Sequence, residues 1–336
     1  MRFAMTQKDK NDFVPMTAPP FPRVSVVIPA RNEGLGIGLT VTALLRQPGP
    51  GTELEIIVVN DGSSDDTVQK AQAAGATVMT VQSDPPSGNP GAARNAGANA
   101  SSGDPIVFLD ADCVVAEGWL DAILGAHAKG AAVVGGSLSM PPDLPALARC
   151  DYYCGAYLVH KKRSPAFVPH HPPANLSVRR EAFLATTGFS EEPPLSHTNE
   201  ERLWLGELRQ AGHQIYFEPK AVAFHYNRPG FRNLLVRNYR WGYTAIESKS
   251  RIPASRMAWI YRYPRLLIVA SIPLAFAHTL YILGCWTRAR AVEPLLMLPL
   301  VFVSRLAYVA GMSVGGVRWM RSRKASVPGQ RSRPAW

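Results

Sequence analysis

Cysteine is scarce in this chain: four in 336 residues, at Cys113, Cys150, Cys154 and Cys285. None falls in a C-x-x-C pair or at zinc-finger spacing, which argues against a disulfide scaffold and a structural zinc site. Cys150 and Cys154 stand four apart and can share a helix face, as small buried side chains in a reducing compartment. Charge is thin as well, 18% of residues against 46% hydrophobic, and acid is scarcer than base, with 25 Asp and Glu facing 36 Lys and Arg for a net +11. Such a surplus suits nucleic acid or an anionic membrane surface. Much of it lies after Arg228, among aromatic and apolar residues, and culminates in a Lys/Arg-rich tail. That placement favours the membrane over nucleic acid. No internal repeat is found. The opening run Met-Arg-Phe-Ala-Met-Thr-Gln-Lys-Asp-Lys carries charge where a signal peptide needs an apolar core. An export signal is therefore not expected, and the folded domain is expected in the cytoplasm.

What is present is organised around Ile106-Val107-Phe108-Leu109-Asp110-Ala111-Asp112. The four apolar residues read as a buried parallel strand. Two carboxylates stop it at its carboxyl end, the edge where open α/β sheets bind ligands. Unpaired, Asp110 and Asp112 would resist ionising together. A divalent cation removes that conflict and leaves a place for phosphate oxygens. An Asp-rich turn is the bland alternative, and D-x-D alone does not separate the two.

Upstream, strands are predicted at Val24–Ile28 (stopped by Pro29), Ile56–Val59 and Thr77–Val81. Helices are predicted over Gly36–Leu45, after a Ser63/Asp66 capping box, and over Pro90–Ala100. The β-α-β-α-β-α-β alternation predicts a parallel, Rossmann-like sheet. Further on, helices are predicted at Trp119–His127, from Arg180, and over Glu200–Ala211 ahead of Gly212. Strands are predicted at Ala132–Ser139, Asn175–Val178, Gln214–Phe217 and Ala221–His225, the last two about Pro219, while residues 141–173 take no assignment.

From Phe231 the chain becomes basic, aromatic and amphipathic, a composition suited to a membrane interface. Leu266–Thr287 has no formal charge over 22 residues, long enough to span a bilayer. Pro294–Val317 is apolar except for Arg305, which is costly in lipid unless paired or snorkelling. Arg251, Arg256, Arg262 and Arg265 precede the first apolar segment, and Arg318, Arg321, Arg323, Lys324, Arg331 and Arg333 follow the second. The positive-inside rule then predicts a hairpin with both ends cytoplasmic and an outer loop near residues 288–293.

Four signals fall at the predicted sheet edge or beside it: Pro29-Ala30-Arg31-Asn32-Glu33, Asn60-Asp61-Gly62-Ser63-Ser64-Asp65, Gly91-Ala92-Ala93-Arg94-Asn95-Ala96-Gly97 and Asp110-Ala111-Asp112. Singly they are a strand stop, a turn, a solvated helix arginine and an acidic turn. Together, a base acceptor, a ribose acceptor, a phosphate cation and a metal carboxylate in one crevice suit a nucleotide diphosphate. With V-S-V-V-I-P-A-R-N-E, V-V-N-D-G-S-S-D-D-T, G-A-A-R-N-A-G and F-L-D-A-D in this order, residues 23–245 strongly resemble the family 2 glycosyltransferases, inverting enzymes of GT-A fold.

The resemblance implies a GT-A, Rossmann-like, mostly parallel sheet flanked by helices. An interfacial amphipathic helix and a C-terminal transmembrane hairpin would follow. The expected divisions are a flexible segment 1–22, the catalytic domain 23–228, a membrane-interface region 229–262, two transmembrane helices in 263–318 and a disordered basic tail 319–336. By resemblance, Pro29, Ala30, Arg31 and Glu33 line the nucleotide site. Asp61 accepts from the base, Arg94 sits near the base or phosphates, and Asp110 faces the ribose and metal shell. Asp112 binds Mg²⁺ or Mn²⁺, with His225 as an added ligand. The family's Glu-Asp pair, counted back from Gly212, falls on Glu200-Glu201. Glu201 stands where the family has the Asp base, Glu200 is the other choice, and a charged first helical turn is the bland reading. Processive members carry Q-x-x-R-W, whereas Arg237-Asn238-Tyr239-Arg240-Trp241 has Arg for Gln. Arg240 and Trp241 are then acceptor-side residues or interfacial anchors.

The expected function is metal-dependent, inverting transfer of a single sugar from a nucleotide-diphosphate sugar to a lipid or lipid-linked hydroxyl. The expected location is the cytoplasmic face of the inner membrane. The alternatives are a polysaccharide synthase subunit and a membrane-bound nucleotide-sugar-binding protein without catalysis.

Overall fold

A computed structural model of the chain describes residues 21–47, 49, 51–81, 88–252, 261 and 263–325. The flexible lead-in expected before residue 21, the tail beyond 325, and Arg256 and Arg262 lie outside the described residues.

The order is β1 (Arg23–Ala30), α1 (Ile37–Leu45), β2 (Glu53–Asn60), α2 (Thr67–Ala73), β3 (Thr77–Thr80), α3 (Pro90–Ala100) and β4 (Ile106–Leu109). Then come β5 (Cys113–Val115), α4 (Trp119–Ala128), β6 (Val133–Ser139), α5 (Ala146–Gly155), β7 (Ala166–Val168) and β8 (Asn175–Val178). They are followed by α6 (Arg180–Leu184), α7 (Glu201–Gln210), β9 (Ile215–His225) and α8 (Phe231–Ser250). All nine strands form one sheet in the order β3-β2-β1-β4-β8-β6-β9-β5, with β7 paired to β9.

β1, β2, β3 and β4 run parallel, so the ends of β1, β2 and β4 meet at one edge. Helices cover both faces, and the strands are therefore apolar throughout. One face buries Val26, Ile28, Val107 and Leu109 against α1 and α4. The other buries Val27, Ile106 and Phe108 under Phe183, Phe189 and Trp204. α3 lies close to the sheet because Gly97 leaves room, where a Cβ would come within 2.4 Å of Val27, and close to the loop ahead of α7 because Gly91 does, where a Cβ would come within 2.2 Å of the Ser190 carbonyl.

Beyond β4 the sheet turns mixed: β8 is antiparallel to β4 and to β6, and β9 runs parallel to β6. Periodicity missed β5, which is too short to show a pattern. Residues 141–173, unassigned from sequence, hold α5 and β7. The two strands expected about Pro219 are one, β9, and a register shift at Gly136/Ser137 accommodates the irregularity there. β1 continues through Pro29 to Ala30. The Ser63/Asp66 capping box does not form. Asp66 occupies the N-cap without a side-chain capping bond, its carboxylate pairing with Lys70 instead, while Ser63 Oγ accepts from Asn32 N at 3.1 Å. Asp65 carries the capping instead, accepting from Thr67 N at 3.1 Å and Gly34 N at 3.0 Å. Joining the loops after β1 and β2 claims these side chains.

The C-terminal helices depart further from expectation. α8 is laid against the helix Leu298–Ala325, backbone to backbone. A Cβ would reach 1.9 Å from the Tyr308 carbonyl at Gly242, 2.0 Å from the Tyr239 carbonyl at Gly311 and 1.8 Å from the Tyr243 carbonyl at Gly315. Arg305 is buried between them, donating to Asn238 Oδ1 and lying 5.5 Å over the Tyr308 ring. It is paired rather than snorkelling. Arg318 reaches Glu247 on α8.

Among the described residues, Leu298–Arg323 is the one helix long and apolar enough to cross a membrane, and 44% of its apolar window is buried. The other predicted span, Leu266–Thr287, breaks at Ala270 into Pro264–Val269 and Ser271–Arg288. The loop expected on the outer side is instead docked on α5. Glu293 accepts from Tyr153 Oη at 2.6 Å and pairs with Arg149 at 3.0 Å, and Trp286 Nε1 donates to the Tyr153 carbonyl at 2.9 Å. A loop bonded to the sheet domain shares its side of any bilayer, so the outer-loop placement is corrected. The tail expected to be disordered from residue 319 continues as helix to Ala325.

Close helix contact predicts that Gly315→Val forces α8 and its partner apart, at a cost of at least about 1–3 kcal/mol. Gly284→Ala, where a Cβ meets nothing nearer than 3.9 Å, should be neutral or stabilising. Thermal unfolding of the two variants checks this, and equal melting temperatures would contradict the packing described.

Candidate active site

The loops after β1, β2 and β4 and the start of α3 enclose one crevice. Asp61 directly follows β2 and is 4% exposed, accepting from Asn89 N. Asn89 caps α3 in turn, its Oδ1 accepting from Ala92 N at 2.9 Å. Gly88 makes this approach possible: its φ is +93°, and a Cβ there would lie 2.7 Å from Arg31 Nη1 and 3.0 Å from Asp61 Oδ2. Pro29 and Ala30 bring the chain to this edge. Glu33 accepts from Arg228. Burial first, then the charge of Asp112, pushes the Glu33 carboxyl up to about 7.

Arg94 is the centre of the crevice. It is 4% exposed, and its Nη2 meets Asp110 Oδ1 and its Nη1 meets Glu200 Oε1, each at 2.6 Å. Its Nε has no partner. Expected near the base or phosphates, Arg94 is thus already committed to two carboxylates. Burial raises the Glu200 carboxyl above its usual range against the opposing pull of Arg94. The next residue of the chain does the opposite. Burial works to raise Glu201 too, but the hydrogen bond from His170 Nε2 overcomes it, and the carboxyl is held low. α3 also positions this pair: Asn95 grips the backbone of Phe189 in the loop ahead of α7, accepting from its N at 2.8 Å and donating to its O at 2.9 Å.

At the floor, β5 pairs with β9 and sets Cys113 opposite His225. His225 Nε2 then lies 3.2 Å from Asp112 Oδ1. Desolvation works against charge on either, yet each favours the other's charged form, so Asp112 is lowered and His225 raised. Asp112, Cys113 and His225 form the group among the described residues whose donor atoms all lie within 4.8 Å of one another. Burial drives the Cys113 thiol well above its usual value.

Residues 25–164 match the family model for glycosyl transferase family 2. The chain belongs to the family 2 glycosyltransferases. The pre-mycofactocin glycosyltransferase of Mycobacterium tuberculosis is 30% identical over 264 residues, 73% of this chain and 54% of that protein. The chain therefore spans about half the length of that relative. The mannosyltransferase PcManGT from Pyrobaculum calidifontis, solved with GDP-Man and Mn²⁺, has a TM-score of 0.60 at 18% identity, covering 92% of this chain and 91% of its own. Staphylococcus aureus TarS residues 1–349, solved with UDP-GlcNAc, has a TM-score of 0.52 at 17% identity, covering 89% and 92%. At these identities the two solved chains share the GT-A fold with this one.

Of the residues marked by the family 2 motifs, Arg94, Asp110 and Glu200 are in direct contact, Glu201 is next to Glu200 in the chain, Asp112 faces His225, and Asp61 contacts Asn89 ahead of α3. Arg240 and Trp241 are on α8 beside it: the Arg240 carbonyl accepts from Thr198 Oγ1 at 3.3 Å, and Trp241 packs near Gly155. Arg237, which replaces the Gln of Q-x-x-R-W, turns inward to Asp151 Oδ2 at 2.7 Å. Sequence reading missed His170, Arg228, Asn227 and Asp151. They come from stretches with no motif, and only contact across the fold marks them.

Without Arg94, Asp110 and Glu200 lose their buried partner, so Arg94→Met should cost about 3–5 kcal/mol. The cost should grow with pH. Unfolded Glu200 ionises near its ordinary value while the folded carboxyl resists, so stability falls as pH rises above that value. Melting at pH 5 and pH 8 should show the larger drop at pH 8, and equal drops would contradict the pairing.

Proposed function

We propose that the chain transfers a single sugar from a nucleotide-diphosphate sugar to a hydroxyl of a lipid or lipid-linked acceptor, with inversion and with a divalent cation, Mg²⁺ or Mn²⁺. The observation that carries this is the junction of Arg94, Asp110 and Glu200 beside Asp112 and His225 at the carboxyl ends of parallel strands. Nucleotide recognition falls to Pro29, Ala30, Arg31, Glu33 and Asp61.

The donor set suits the ion: a carboxylate and an imidazole, half-buried and aimed at each other, fit Mn²⁺ well. When bound there, the cation would neutralise charge on the departing diphosphate. Glu201 accepts the proton of the acceptor hydroxyl. The freed oxygen attacks the anomeric carbon from the face opposite the diphosphate. As the new carbon–oxygen bond forms, the bond to the diphosphate breaks and its electron pair leaves with the nucleotide.

Pairing supports Glu201 over Glu200 as base. Glu200 is engaged by Arg94 and pushed up by burial, whereas the carboxyl of Glu201 is held low by an imidazole that is itself 28% exposed. An ionised carboxylate is the form a base requires.

The membrane side of the reading rests on exposed apolar surface. Leu266, Val269, Ile272, Phe276 and Leu280 recur at helical spacing along 264–288 and are 51–85% exposed. A stripe of that size, on a chain with a net charge of +11, suits an anionic bilayer surface. Cytoplasmic nucleotide sugars would then meet the site at the inner face of the membrane.

Glu201→Gln should retain donor binding and lose turnover by about 10²–10⁴, measured as sugar transfer to a lipid-phosphate acceptor by purified protein. Products extended by one sugar support single transfer, and long products a synthase. Donor binding without transfer or donor hydrolysis in the unmodified protein would mark a non-catalytic binder. Loss of activity in Glu200→Gln with an active Glu201→Gln would reverse the assignment.

A further inference from the structure

His225 has a second ring nitrogen, and the structure shows what it does. Nδ1 lies 2.8 Å from Asn227 Oδ1. An amide oxygen only accepts, so this bond needs the proton on Nδ1. In the neutral ring, Nε2 is then the nitrogen with a free lone pair, and it is the one 3.2 Å from Asp112. The amide of Asn227 is itself oriented, because Nδ2 donates to Asp151 Oδ2 at 2.9 Å. Flipping it would set an amide oxygen against a carboxylate. Asp151 is 2% exposed and receives Arg237 Nη1 at 2.7 Å on the same oxygen. The chain of contacts joins the end of β9 to α5 and α8, and Asn227 is itself only 5% exposed.

We infer that Asn227, oriented by Asp151 and Arg237, is the positioning residue that sets the tautomer of His225 and presents its Nε2 to a divalent cation. This rests on the reading above that Asp112 and His225 hold the ion. Metal-bound histidines commonly donate their other N–H to such a partner, and changing that partner typically costs about 10–100-fold in metal affinity. The same contacts account for Arg237 in place of Gln: a guanidinium can neutralise buried Asp151, and an amide cannot. They also tie α8, and through it the C-terminal helix, to the floor of the crevice.

The test is a titration of the full chain with Mn²⁺ alone, read by the electron paramagnetic resonance signal of the free ion. Asn227→Leu should weaken Mn²⁺ binding by about 10–100-fold. In a His225→Ala background the same change should add nothing, because Asn227 acts through that ring. A loss of equal size in both backgrounds would show a general structural effect and overturn the inference, as would unchanged affinity in Asn227→Leu. Should the leucine variant fail to fold, Asp151→Asn keeps the shape and removes the charge. It should weaken binding several-fold only when His225 is present, and a loss independent of His225, or none, overturns the inference. If Asp112→Asn and His225→Ala both bind Mn²⁺ as the unmodified chain does, the cation reading itself fails, and the inference fails with it. If those two lose binding and the Asn227 and Asp151 variants do not, the inference alone fails.

Discussion

A buried arginine shared by two carboxylates is the constraint around which the crevice is built. Arg94 comes from α3, Asp110 from the end of β4, and Glu200 from the residue ahead of α7. Buried Arg94 does not tolerate its position without these carboxylates, because desolvating an unpaired charge costs several kcal/mol. Their meeting therefore fixes where α3 and α7 sit against the parallel strands. The glycines of α3 allow the helix close enough to reach, and Asn95 holds the intervening loop. Glu201 is positioned by the same junction, one residue further on and against a different partner. Two adjacent glutamates thus acquire opposite tendencies: burial prevails over Arg94 at Glu200, and the His170 hydrogen bond prevails over burial at Glu201.

The cation floor is assembled by a separate device. Pairing of β5 with β9 brings residues over a hundred apart into register, so Asp112 and His225 face each other. Strand pairing is directional, and a slip of one residue would turn His225 to the other face. Asn227 and Asp151 hold the ring from behind.

The helical layer at the C-terminus is attached along its length. Glycines at 242, 311 and 315 set α8 and the last helix in backbone contact, and Trp286 and Glu293 dock the preceding connection on α5. Hydropathy measures length and composition alone, so it assigned these segments a transmembrane hairpin. The contacts pack them against α5 and α8, and an apolar stripe along 264–288 is among the surfaces left exposed.

Much of the first half was legible from residues alone. The runs in β1, β2 and β4 are continuous and apolar because both sheet faces are covered, and the polar motifs stop where the strands end. Local chemistry also marked Asp61, Arg94, Asp110 and Asp112, since a nucleotide site draws its groups from strand ends near in sequence. Other features depended on long-range contact. That Arg94 is spent on carboxylates, that His170 faces Glu201, that Arg237 serves Asp151, and that the apolar helices lie on the domain are all consequences of packing between distant segments. The amino-acid sequence by itself determined the parallel sheet and the residue types at its edge, because periodicity and strand termini are local properties. Only the tertiary structure decided which charges pair and which apolar faces are covered, because desolvation and close packing depend on neighbours that the chain supplies from far away.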